Sequence, residues 1–173
     1  NGKAHEILGD ALAATGELAD AVEEYDNAVM HAPSQTDRIA ALFKAARVLE
    51  ETGERAQAAE AYGGIIEAGE REEIYFRVAD AHVRLADLRF AAGRPEEARE
   101  HYERVTREYP MHIEAPWALF QLALISGRTD GPERARGILD ELCERYSQDY
   151  WCREARKRRE ETLADAQEAP SPR

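Results

Sequence analysis

An alanine followed four residues later by a large side chain recurs along the chain, as Ala21/Tyr25, Ala58/Tyr62, Ala98/Tyr102 and Ala135/Leu139. Successive alanines stand 37, 40 and 37 residues apart, and a second small residue precedes each by 12 positions, at Gly9, Ala46, Ala86 and Ala123. Just ahead of those lie Leu8, Ala45, Leu85 and Leu122. A period in this range marks stacked helical hairpins. Two helices cross closely only where the side chains between them are small, and a bulky residue one turn further on fills the space beside the crossing. Each unit is therefore a helix A followed by a helix B, joined through their small residues.

Residues 93–110 show one helix B in full. Gly93 permits the turn, and Pro95 occupies a first-turn position where its missing N–H costs no hydrogen bond. Glu96 and Glu97 suit the positive end of the helix dipole and Arg107 the negative end, before Pro110 stops the helix. Ala98, Tyr102, Val105 and Tyr109 fall at i, i+4, i+7 and i+11, a single apolar stripe on a charged helix. So narrow a stripe is stable only against a neighbour.

The pattern resembles the tetratricopeptide repeat of bacterial proteins, in which a leucine and a small residue are followed by Ala-x-x-x-aromatic and a closing proline. The first unit matches at Leu8, Gly9, Leu12, Gly16, Ala21, Tyr25, Ala28 and Pro33, and the third at Leu85, Ala86, Gly93, Ala98, Tyr102 and Pro110. The second keeps Gly53, Ala58 and Tyr62 without the proline, and the fourth keeps Leu122, Ala123 and Ala135 with Leu139 for the aromatic. His5, Leu42, His82 and Leu119 replace the family's early aromatic, and Ile65, Val105 and Leu142 a later small residue. The resemblance implies an all-α fold, an α-solenoid of about four helix-turn-helix repeats. They span residues 2–35, 36–70, 71–111 and 112–148, with a capping helix at 149–167, making a single domain over 1–167 with a disordered tail at 168–173.

Within the repeats the helices are expected at 3–15, 17–31, 36–52, 54–68, 71–92, 95–109, 113–126, 132–146 and 149–166. Thr36 or Asp37 caps the third, Gly69 stops the fourth, and Asp149 caps the last, whose packing residues are Trp151, Ala155 and Leu163. The fifth is expected to be the longest, because the 40-residue interval adds most of a turn at 72–76. Gly63-Gly64 inside the fourth reads as a close backbone approach, with a bend in the stack as the other reading.

Composition excludes several classes of function. A net charge of −12 lacks the basic footprint that nucleic acid or an anionic membrane requires. No run approaches the roughly 18 apolar residues of a membrane span. A start at Asn1 without methionine suggests an excised piece. The five histidines are scattered without helical zinc spacing, the glycines form no phosphate loop, and the paired glutamates read as solvated faces. No catalytic residue, cofactor or metal is expected. Cys143 and Cys152 face each other about the turn at 147–148, where a bridge is geometrically open, but two free, semi-buried thiols are expected. The basic cluster Arg153, Arg156, Lys157, Arg158 and Arg159 reads as the solvated face of the cap.

By the register of the resembled family, the A helices line a concave groove. Lys3, Glu6, Asp10 and Ala40 face it, with a partner-binding set of Phe43, Arg47, Glu50, Asp80, Val83, Asp87, Phe90, Trp117, Phe120 and Leu124. Members that clamp a peptide carboxylate use lysines and asparagines there, whereas this chain offers mostly acids. The expected function is a non-catalytic protein–protein interaction scaffold that engages an apolar, partly basic peptide or helix. Residues 102–124 also look like bacterial envelope-assembly repeat proteins, so a self-assembling subunit is one alternative, and a regulatory domain of a larger protein another. The compartment stays open, with the cytoplasm preferred to the periplasm.

Overall fold

The computed structural model describes residues 1–75 and 77–159 in full and the backbone of 160–168. Expectations for Phe76, for the Leu163 side chain and for the tail at 169–173 lie outside these residues, while Glu168, expected in the tail, is by its backbone the last residue of a helix. The described residues are helical and contain no strand, an all-α fold of the solenoid class. They divide into two compact units, Asn1–Gly93 and Arg94–Arg173, the division falling inside the third expected repeat.

The first unit holds α1 (Gly2–Thr15), α2 (Leu18–Met30), α3 (Gln35–Glu51), α4 (Arg55–Arg71) and α5 (Val78–Ala91), each packed on the next. The second holds α6 (Pro95–Glu108), α7 (Ala115–Thr129), α8 (Pro132–Arg145) and α9 (Tyr150–Glu168); α9 packs on both α7 and α8. The repeated pairs lie where the spacing puts them. Ala21, Ala58 and Ala98 are fully buried, as are Tyr62 and Tyr102, and Tyr25 is nearly so. The fourth copy is looser, with Ala135 half-buried beside a buried Leu139. Gly9 shows why a small residue is needed at the crossing, since a Cβ there would stand 2.7 Å from the Tyr25 ring.

Several local expectations are corrected. Ser34, not Thr36 or Asp37, caps α3, its side chain accepting from the Asp37 N–H at 3.1 Å. The fourth helix runs past Gly69, which is buried within it because Val78 and the Ile74 carbonyl sit where a Cβ would go. The interval around 72–77 lengthens no helix. Instead α4 ends in a left-handed Glu73 (φ 54°), and the Ile74 N–H donates to the Gly69 carbonyl at 2.8 Å, the bond of a Schellman closure. Ile74 then tucks against the core, and a second left-handed residue, Arg77 (φ 62°), starts α5. The longest described helix is therefore α9, not the fifth.

Gly63 and Gly64 make no close approach. Nothing lies within 4 Å of a Cβ at Gly63, and at Gly64 only the Leu42 side chain, at 3.8 Å. Gly137 on α8 is equally open. Gly63→Ala and Gly137→Ala should each stabilise the fold by about 0.5–1 kcal/mol in urea melts, through lost unfolded-state freedom. Gly69→Ala should instead destabilise it by roughly 1–3 kcal/mol through overpacking.

The cysteines are also corrected. Cys143 and Cys152 form a disulfide, with Cα atoms 4.8 Å apart, and neither is free. Asp149 is the reason, since its carboxylate accepts from the Trp151 N–H at 2.8 Å and starts α9 directly after the turn that ends α8. That tight reversal puts the last turn of α8 opposite the first turn of α9.

Candidate partner-binding surfaces

In the first unit the expected groove residues split by chemistry. Phe43 is 7% exposed and Val83 1%, so both are packing residues and offer no contact surface. Phe43 meets the Tyr62 ring edge-on at 5.7 Å, and the Arg77 guanidinium covers its other side at 4.9 Å. Phe90 is half-buried. What α3 and α5 present instead is charge. Arg47, Glu50, Glu51 and Arg84 line a polar depression of about 290 Å³. Asp80 pairs with Arg77 at 3.1 Å, and Asp87 approaches Arg84 at 4.0 Å.

The acids of α1 are likewise paired. Lys44 on α3 reaches Glu6 and Asp10 at 2.7 Å each, and Lys3 reaches Glu6 at 2.7 Å. Hydrogen bonds from Lys3 and Lys44 hold the Glu6 carboxyl below its ordinary pKa. Burial works against the charged form of Lys44, but Asp10 and Glu6 outweigh it and raise its pKa. The tyrosine hydroxyls turn to the same surface, Tyr25 donating to Asp10 at 2.9 Å and Tyr62 to Glu50 at 3.1 Å. Burial, reinforced by those carboxylates, pushes both phenols well above their usual range.

The second unit carries the aromatic surface. Trp117, Phe120 and Leu124 fall at i, i+3 and i+7 on α7, one face of the helix, and all three are half-buried. Trp151 from α9 completes the group, 4.5 Å from the Trp117 ring and 5.1 Å from Phe120. Tyr150, 53% exposed, stands edge-on to Trp151 at 4.9 Å, with the Arg153 guanidinium 5.8 Å over its ring. Leu124 continues the face into a cleft of about 260 Å³ lined also by Ala123, Pro132, Ala135, Leu139, Arg128 and Arg158. Trp151 was expected only as a packing residue of the cap. Its signal was Asp149, whose capping places residues 150 and 151 in the first turn of a helix folded back on α7.

Among the described residues, no group of three histidine, cysteine or acidic side chains is placed to hold a metal ion, and no helix is long and apolar enough to cross a membrane.

Paired helices that nest through small residues, with side-chain surfaces displayed on the first helix of each pair, define a helical-repeat protein. The chain belongs to the Tetratricopeptide repeat family, which matches at residues 1–37, 43–113 and 83–150. No curated protein matches it. Solved structures of similar fold include MamA, at 19% identity over 86% of this chain and 80% of that one, with a TM-score of 0.68. A tetratricopeptide repeat protein from Parabacteroides merdae aligns at 17% identity over 97% of this chain, with a TM-score of 0.78; this chain spans 62% of its length. The apo form of RapI aligns at 13% identity over 95% of this chain and 69% of that one, with a TM-score of 0.71.

Proposed function

We propose that the chain is a non-catalytic protein–protein interaction scaffold whose partner is a peptide or helix with apolar anchors and some basic side chains. The observation that carries this reading is the ring group Trp117, Phe120, Trp151 and Tyr150, which continues into the apolar cleft at Leu124. Large, rigid aromatic surfaces gathered on a helix face are the kind of feature that anchors partners. The net charge of −12 favours a partner with basic flanks by long-range attraction. Within the first unit, Arg47, Glu50, Asp80 and Asp87 offer polar contacts of their own, over the buried Phe43 and Val83.

Both tryptophans of the chain sit in the ring group, so intrinsic fluorescence reports on it directly. Peptides selected from a displayed library against the chain should carry aromatic or aliphatic anchors beside lysine or arginine, and should shift that emission. Phe120→Ser should abolish their capture while leaving the melting temperature within a few degrees. Equal capture by Phe120→Ser would remove the ring group from the function.

A further inference from the structure

The bridge between Cys143 and Cys152 presents its two sulfurs unequally. Cys152, in the first turn of α9, is fully buried, whereas Cys143, in the last turn of α8, is half-buried. Cys143 also lines a cleft of about 420 Å³, walled by Asp140 and Glu144 of α8 and by Ala155, Arg156 and Arg159 of α9. Cys152 takes no part in that wall. A bridge that served only to hold α8 against α9 would need no open space beside one of its sulfurs.

Thiol–disulfide exchange requires a thiolate to reach one sulfur while the other departs, so access decides which sulfur is attacked. Of the two residues only Cys143 opens to the cleft, which leaves Cys152 as the departing group. Its place suits that role. A negative charge appearing on its sulfur lies at the positive end of the α9 dipole, with the Arg156 guanidinium one turn along. The wall of the cleft carries charge of both signs. Asp140 and Arg159 pair at 2.9 Å, and Glu144 and Arg156, both exposed, add one charge each. Such a wall matches a small molecule that carries an amine and a carboxylate together, the make-up of a peptide thiol, better than it matches a neutral thiol.

We propose that the cleft beside Cys143 is an exchange site for a small peptide thiol, and that the exchange has a fixed direction, joining the ligand to Cys143 and releasing Cys152. The thiol gives its proton to water, and the electron pair of its thiolate forms the new bond to Cys143 Sγ. The Cys143–Cys152 bond breaks, and its electrons leave with Cys152, which takes a proton from water. The incoming sulfur is thereby oxidised from thiol to disulfide, and the Cys152 sulfur is reduced to thiol. A second equivalent of thiol attacks the mixed disulfide, frees Cys143 and departs as the symmetric disulfide of the ligand. The site stands independently of what the ring group binds.

Glutathione is the probe for the test. The oxidised full chain is mixed with it, stopped after short intervals with N-ethylmaleimide, and mapped by peptide mass spectrometry. The glutathionyl group should be found on Cys143 and the maleimide on Cys152, in about tenfold or greater excess over the reverse pattern. Arg156→Glu, at an exposed position, should slow the reaction with glutathione about threefold more than the reaction with 2-mercaptoethanol. The neutral thiol reports any effect on the departing Cys152 alone, so the ratio isolates recognition in the cleft. Equal labelling of the two cysteines, or an excess of the reverse pattern, would overturn the proposal. It is likewise overturned if Arg156→Glu slows both thiols alike, or if the bridge resists a large excess of glutathione altogether.

Discussion

Tyr102→Ala is expected to lower the unfolding free energy by about 3–5 kcal/mol, the range for truncating a buried aromatic residue. Tyr102 is fully buried on α6, between Ala98 and Val105, which are fully buried as well. The ring fills space that the small Ala98 leaves beside the helix crossing. Helices held at that distance by their backbones cannot close over the vacancy, so the cavity remains and adds to the lost transfer energy. Urea melts monitored by far-ultraviolet circular dichroism measure the change directly. An unchanged midpoint would mean that the pair Ala98/Tyr102 is not at a crossing, and the repeat register would fall with it.

Reducing the bridge between Cys143 and Cys152, or replacing both with serine, should destabilise the second unit by about 2–3 kcal/mol. That figure follows from the entropy an unfolded chain recovers when a short loop is opened; the two residues are 9 apart. The effect should concentrate where the bridge acts, at the reversal between α8 and α9. Cys152 is buried directly beside Trp151, so loss of the bridge frees the first turn of α9 and with it one member of the ring group. Tryptophan emission should therefore shift to the red on reduction, and hydrogen exchange should quicken in α9 while α1 to α4 keep their protection. An intact chain whose mass does not rise by two hydrogens on reduction would show that the thiols are free. Disulfides are favoured in oxidising surroundings, so the order of the ring group should follow the redox state around it.

Much of the fold could be read from residue spacing, because a crossing of two helices imposes a size limit that only glycine and alanine meet. Ala21, Ala58 and Ala98 sit at that limit, and their burial follows from it. The left-handed closure at Glu73 could not be read, since residues 72–77 contain no glycine or proline to mark a break, and the chain accepts an unfavourable φ there that lets the half-buried Ile74 pack against the core. Phe43 illustrates the same gap for the candidate site. Its position on α3 faces the expected groove, but Tyr62 on one side and Arg77 on the other enclose the ring. Arg77 reaches that ring from a left-handed turn that no periodicity announces. The aromatic surface that does exist depends on α9 folding back to place Trp151 against Trp117, a contact set by one turn and one disulfide.

The central claim is that the recurring alanines are the points at which helices cross. Thiol labelling of Ala21→Cys, Ala58→Cys and Ala98→Cys in the oxidised chain tests it most directly, with Ala19→Cys on the exposed side of α2 as reference. The three buried positions should react roughly a thousandfold more slowly than the reference or slower still, because they become accessible only when the fold opens. Labelling within about tenfold of the exposed site at all three positions would place those alanines on the surface, and the helical-repeat account of this chain would be wrong.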